Sequence, residues 1–151
     1  MSNPFTDVRN AVWSLVDAHE GLSDFIDERE GTKYRFGESD NLPTRLAADD
    51  CPALVVDPSR AEINWETTTG HAIVYRIEIR GYADSTRAED IEEFAYLVYD
   101  AVAGGLPDFG LSAVEGVEFA GPAFGARGTG GARFAEFRLG VLARIHSEPG
   151  V

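Results

Sequence analysis

The chain has 151 residues, enough for a domain with a sizeable core, and 44% of them are hydrophobic, an ordinary share for a globular protein. Asp and Glu total 26 against 13 Lys and Arg, and the resulting net charge of -13 repels the nucleic-acid backbone. Cys51 is the single cysteine, which excludes an intramolecular disulfide, and no apolar run reaches the roughly 18 residues of a membrane-spanning helix.

The opening "MSNPFTDVRN" has neither the basic start nor the apolar core of a signal peptide, so synthesis in the cytoplasm is expected. From Asn3, "NPFTDVRNAVWSLVDAH" predicts a first helix. Asn3 can cap it, Pro4 suits the first helical position, and Phe5, Val8, Val12, Leu15 and Val16 form an apolar stripe. Gly21 is the expected stop. Residues 21–50 are polar and turn-rich, with isolated aromatics at Phe25, Tyr34 and Phe36. They are expected to form a long loop carrying one short helical turn near Leu22 to Asp27, and long loops in compact domains are often functional.

"PALVVD" is an apolar run between Pro52 and Pro58 and predicts a short strand. In "HAIVYRIEIRGYA", Ile73, Tyr75, Ile77 and Ile79 alternate with Val74, Arg76, Glu78 and Arg80, the pattern of a strand with one wet face. Thr86 and Glu89 have the spacing of a capping box. Ile91, Phe94, Ala95, Val98, Ala101 and Val102 then make a second amphipathic helix, closed by Gly104 and Gly105. "AVEGVEFAG" is a weaker strand, and "RFAEFRLGVLARI" a strong one with Glu136, Arg138 and Arg144 on its polar side. The order α-β-β-α-β-β predicts a single domain over residues 1–151. Its fold class is α+β: an α/β sandwich with a mixed or antiparallel sheet of about four strands and two main helices.

The glycine-rich stretch "FGARGTGGARF" invites comparison with phosphate-binding loops. A P-loop needs GxxxxGK[ST] before a helix, yet the only lysine is Lys33. A dinucleotide fingerprint must open a helix, whereas a strand follows here, so the dipole that holds the anion is missing. A flexible connection between two strands is the expectation. No GxSxG elbow surrounds Ser112, which reads as a turn residue. His19, His71 and His146 lack zinc-ligand spacing, and Cys51 before Pro52 reads as structural even if His71 were close. Adjacent acids such as Glu92 and Glu93 diverge on a helix and do not converge on one substrate. No cofactor or metal is expected.

The alternating charges leave two readings open. If the two strong strands are neighbours, Arg76, Glu78 and Arg80 on one and Glu136, Arg138 and Arg144 on the other carry complementary charges that can pair across the sheet. That wet face is then either a solubilising surface or a subunit interface.

Taken together, the N-terminal helix, the "CPALVVDP" and "VYRIEIRGYAD" strands, the capped helix ending at glycine and the terminal "FRLGVLARI" strand resemble the tail terminator proteins of long-tailed bacteriophages, over most of residues 3–146. The resemblance implies a non-enzymatic structural protein of the virion, in its tail or neck. It implies a ring, typically a homohexamer, that ends the tail tube and joins it to the head-side connector or stopper protein. The major tail tube protein is then a partner, and DNA passes through the lumen without specific binding. A head-completion or adaptor ring of the neck is the nearest alternative. A small acidic α+β enzyme or ligand-binding domain is the alternative from another class. The family has no catalytic signature to carry over. The candidate interface residues are Tyr34, Arg35 and Phe36 in the first long loop, Arg76, Glu78, Arg80 and Arg138 on the strand faces, and Arg127, Gly128, Gly130 and Arg133 in the glycine-rich run.

Overall fold

The computed structural model describes residues 3–35, 51–64, 71–84, 88–129 and 132–147. Its elements run α1 (Pro4–Ala18), α2 (Glu20–Glu28), β1 (Thr32–Arg35), β2 (Ala53–Asn64), β3 (His71–Asp84), α3 (Ala88–Ala103), β4 (Val114–Thr129) and β5 (Ala132–Ser147). The strands form one five-stranded sheet in the order β1-β2-β3-β5-β4, and the helices pack on one face of it. β1 runs parallel to β2, and every other pair is antiparallel. The expected two-layer α+β class therefore holds, with five strands and three helices where about four and two were expected.

The first helix starts as its sequence predicts. Asn3 Oδ1 accepts from the Phe5 amide at 2.9 Å, and Val8, Val12 and Val16 are fully buried. Its end differs from expectation. His19 adopts an extended backbone that stops α1, and its Nδ1 accepts from the Leu22 amide at 3.0 Å to cap α2. With Nδ1 occupied as an acceptor, Nε2 carries the proton and donates to Asp100 Oδ2 at 2.8 Å, which ties the α1–α2 corner to α3. Gly21 thus lies in the first turn of α2 instead of ending α1.

The expected polar loop over 21–50 gives way, in its first part, to α2 and β1. Leu22, Phe25 and Ile26 are buried and anchor α2. Glu30, at φ 56, closes the helix in a Schellman-type turn: the Gly31 amide donates to the Ile26 carbonyl at 2.8 Å and the Glu30 amide to the Asp27 carbonyl at 3.1 Å. A side chain on Gly31 would begin 2.2 Å from the Pro52 carbonyl oxygen, so only glycine lets β1 enter beside β2. Phe36 and the rest of that segment to Asp50 lie outside the described residues, as does Thr86 of the expected capping box.

Two strands run further than their sequences suggest, each through an irregularity. β2 continues past Pro58 because the register shifts between Pro58 and Arg60, where a missing amide donor breaks no ladder. β4 continues past "AVEGVEFAG" through a shift between Ala120 and Ala123, with Gly121 at φ +93.

The core lies between the sheet and the helices. Leu54 and Val56 of β2, Ile77 and Ile79 of β3, and Phe137, Leu139, Val141 and Ala143 of β5 meet Phe94, Val98 and Val102 of α3. Tyr75 joins this core at 6% exposure, with the Phe5 ring 5.0 Å away. Burial raises the Tyr75 phenol pKa above its usual 10.0, partly opposed by the positive charge of Arg9. A raised folded-state pKa means that the native state holds the proton more tightly. Stability is then complete below the unfolded pKa of about 10 and falls as pH rises beyond it. Tyr75→Phe should flatten that alkaline decline in denaturant titrations between neutral pH and pH ~11. An identical decline in the variant would remove Tyr75 from its cause.

Candidate assembly surface

The sheet face away from the helices is built by strand alternation. While Tyr75, Ile77 and Ile79 of β3 point to the core, Arg76, Glu78 and Arg80 take the opposite face. The strong strands are neighbours, with Arg80 opposite Arg138, Glu78 opposite Gly140 and Arg76 opposite Leu142.

The expected pairing across this ladder takes another route, because the register sets two arginines against each other. Their counter-charges come from elsewhere. Arg80 Nη2 donates to Asp57 Oδ2 on β2 at 3.3 Å, and Glu78 Oε1 lies 3.7 Å from Arg80 Nε. Arg138 Nε donates to Glu136 Oε1 on its own strand at 2.7 Å. Residues two apart on a strand share a face, so these same-strand pairs follow from alternation. The contribution of Asp57 was hidden, since the sequence places it at the end of a short strand.

Glu136 is only 7% exposed, and its hydrogen bond holds the Arg138 guanidinium pKa above the ordinary arginine value. Arg80 Nε is buried without a hydrogen-bond partner, Glu78 standing at ion-pair distance only, so the guanidinium donates through Nη2 to Asp57. Arg138→Met should cost about 1–3 kcal/mol, because it strands the buried Glu136 carboxylate. Adding Glu136→Gln should recover part of that loss in urea titrations, since a neutral amide is cheaper to leave unpaired than a carboxylate. If the second change brings no recovery, the cost lies outside this pair.

Further along the same face, Glu115 accepts from Arg144 Nε at 3.0 Å and lies 3.0 Å from His146 Nδ1. Together with Val74, Glu118 and Leu142, Glu115 and Arg144 line an open cup of about 460 Å³. The Arg76 guanidinium lies across Gly140, where a β-carbon would meet its Nη2 at 2.8 Å. The face is therefore a mosaic of both signs.

Tyr34 stands in the cross-sheet row of Val55, Arg80, Arg138 and Ala123, and Arg35 stands opposite Val56. The glycine-rich run, expected as a loop, is mostly strand. Arg127 pairs with Phe134, Gly128 with Arg133 and Thr129 with Ala132, which leaves Gly130 and Gly131 between β4 and β5, outside the described residues. The antiparallel ladder continues because the flanking positions alternate normally once the shift near Gly121 has been absorbed.

Chemistry of other kinds finds no assembled site among the described residues. No group of three or more His, Cys, Asp or Glu side chains could hold a metal ion there. Cys51 is buried beside the start of β2, while His71 begins β3. Ala53 pairs with Tyr82, which puts Cys51 roughly eleven strand residues, or about 36 Å, from His71 and rules out a dyad. Ser112 lies in an exposed turn. No described helix is long and apolar enough to cross a membrane.

No protein family and no curated protein matches the chain in sequence. Among solved structures it is similar to a chain of the "Virion of native gene transfer agent (GTA) particle". The TM-score is 0.54 at 19% identity, over 92% of this chain and 94% of that one. At this identity, the likeness establishes the shared fold.

Proposed function

We propose that this protein is a structural, non-enzymatic component of a phage-like virion, each chain contributing one domain to a ring that ends the tail tube. The observation that carries the reading is the end-to-end fold likeness to a virion chain, since both chains are matched over more than nine-tenths of their length. On this reading the ring, typically of six copies, joins the tube to the head-side connector or stopper protein, and DNA crosses its lumen.

The charge supports the reading. A net charge of -13 gives a channel wall that lets DNA slide past without retaining it. The mosaic sheet face (Arg76, Glu78, Arg80 and Arg138) and the β4–β5 hairpin are the surfaces proposed for contact with other subunits or neck proteins. Heterologous contacts close a ring only when every copy presents both complementary surfaces, so surface changes should block assembly without unfolding the subunit.

The decisive experiment is electron microscopy of particles made without this protein. Tails that overgrow, with or without heads, support termination. Normal particles overturn the reading. Tails of correct length that lack heads would move the protein one position, to a head-completion or adaptor ring.

A further inference from the structure

The sheet has two edges, and among the described strands neither is covered: β1 pairs only with β2, and β4 only with β5. They stand at opposite ends of the strand order, about 19 Å apart by strand spacing, and do not pair with each other within the subunit. Which main-chain groups face each edge follows from the ladders. The His146 amide donates to the Ala113 carbonyl at 3.2 Å, which makes Val114 and Ile145 an opposed pair without mutual hydrogen bonds. β5 continues without a register shift, so its even-numbered residues face β4 and its odd-numbered ones face β3. Val117, Phe119, Phe124 and Ala126 all lie opposite odd-numbered residues and therefore direct their N–H and C=O groups to the open edge. On the far side of the sheet, the Thr32 amide donates to the Pro52 carbonyl at 3.0 Å. Alternation then turns the main-chain groups of Lys33 and Arg35 outward.

The β4 edge has the character of a surface that is covered in use. Gly121 through Ala126 are all exposed and none is charged, whereas free edges normally carry charge. Phe119 and Phe124 lie opposite the core residues Val141 and Phe137, so both take the helix side of the sheet. There the Phe119 ring meets Tyr99 of α3 at 5.1 Å, Phe124 is 53% exposed, and Tyr96, one helical turn before Tyr99, is 64% exposed. Apolar surface thus borders the unpaired main chain. The two edges are also where this acidic protein lacks acids. No Asp or Glu occurs between Glu118 and Glu136, the longest such stretch in the chain, or between Glu30 and Glu38 around β1. Two copies that each carry a net charge of -13 approach at least cost where neither presents a carboxylate.

We infer that the outer edge of β4, over Phe124 to Ala126, pairs with the outer edge of β1 in a second copy of this chain, so that the sheet continues from one subunit into the next. The strand directions suit this join. β1 and β2 run parallel and each later neighbour is antiparallel, which leaves β4 running opposite to β1. Sheets set side by side with their helices on the same side therefore meet as an antiparallel pair, with Ala126 opposite Lys33 and Phe124 opposite Arg35. All four residues direct main-chain donors and acceptors into the join, the mode in which an added strand extends an exposed sheet edge. Every copy carries one edge of each kind, so the contact is heterologous and propagates around a ring. A β4–β4 pair would instead be isologous, closing at two copies and leaving β1 open. This inference rests on the ring reading above.

Two edge variants and amide exchange test it. Ala126→Pro removes an outward donor and leaves the ladder to β5 intact. Phe124→Lys places a charge on the edge at an exposed position, and carries the test if the proline variant fails to fold. Each should weaken self-association in sedimentation velocity by about 10-fold or more, with thermal melts little changed. Amide hydrogen exchange in the wild type identifies the partner strand. The amides of Phe124, Ala126, Lys33 and Arg35 should exchange slowly in the assembly and quickly in subunits freed by dilution, while Gly125, bonded to β5, stays protected in both. Protection of the β4 amides without the β1 amides would mean a β4–β4 pair and overturn the inference. So would edge amides already protected in the free subunit, or a wild-type chain that stays monomeric at every concentration. Rings that persist in both folded variants remove this contact and keep the ring reading. Normal particles made without the protein remove the ring reading whatever the variants do.

Discussion

Phe94→Ala is expected to lower the unfolding free energy by about 3–5 kcal/mol, among the largest losses open to a single truncation. Phe94 is fully buried where α2, α3 and the sheet meet. Its ring centroid lies 5.2 Å from that of Phe25 on α2 and 5.1 Å from that of Phe137 on β5, the latter at 78°. Edge-to-face rings at this spacing add about 0.5–1.5 kcal/mol beyond the area they bury. Truncation removes both ring contacts and leaves a void framed by two helices and a sheet, which cannot collapse together. The check is urea unfolding, where the midpoint should fall with little change in slope. A loss below about 1 kcal/mol would mean that the layers are joined elsewhere.

Gly81→Ala should also destabilise, although alanine in a strand interior ordinarily gains about 0.5–1 kcal/mol over glycine. Gly81 pairs with Phe137 on the core face, and the Phe137 ring lies over it. A β-carbon would sit 2.0 Å from Phe137 Cε1 and 2.6 Å from Cζ. That ring is fully buried and held by Phe94, so it has nowhere to move. Overpacking of this sort costs about 1–3 kcal/mol, and the clash wins over the entropy gain. Gly140→Ala is the internal control. Its β-carbon would meet the far end of Arg76 at 2.8 Å, on the open face, where a flexible side chain can swing aside. Its effect should stay within about 0.5 kcal/mol. Equal losses at the two glycines would contradict this difference in packing. Partial rescue of Gly81→Ala by Phe137→Leu would identify the ring as the obstacle.

Much of the molecule could be read before any coordinates. The apolar stripes of α1 and α3 have helical spacing, and the alternation in β3 and β5 marks which side chains face the core. These patterns are local and periodic, so they survive as sequence. The two-layer α+β class follows from their order. The charge of the chain is likewise a property of composition, and with it goes the repulsion of nucleic acid.

What escaped were features set by partners distant in sequence. α2 was legible only as a helical turn near Leu22 to Asp27, and its full length depends on packing against α3 and on a histidine cap that no propensity scale favours. β1 is four residues long and exists as a strand because β2 lies beside it in parallel. β2 and β4 pass through a proline-bearing irregularity that ordinarily signals a strand's end. The glycine-rich run looked like a loop because glycine is permissive, but pairing with β5 draws its first half into a ladder.

The candidate surface divides in the same way. That Arg76, Glu78 and Arg80 share a wet face was determined by the sequence alone, because strand alternation has a period of two. Their partners were decided by tertiary structure. Register, which depends on the whole sheet, set Arg80 against Arg138 and brought Asp57 to neutralise it. Sequence determines which charges a chain carries, whereas the distances between them are properties of the fold.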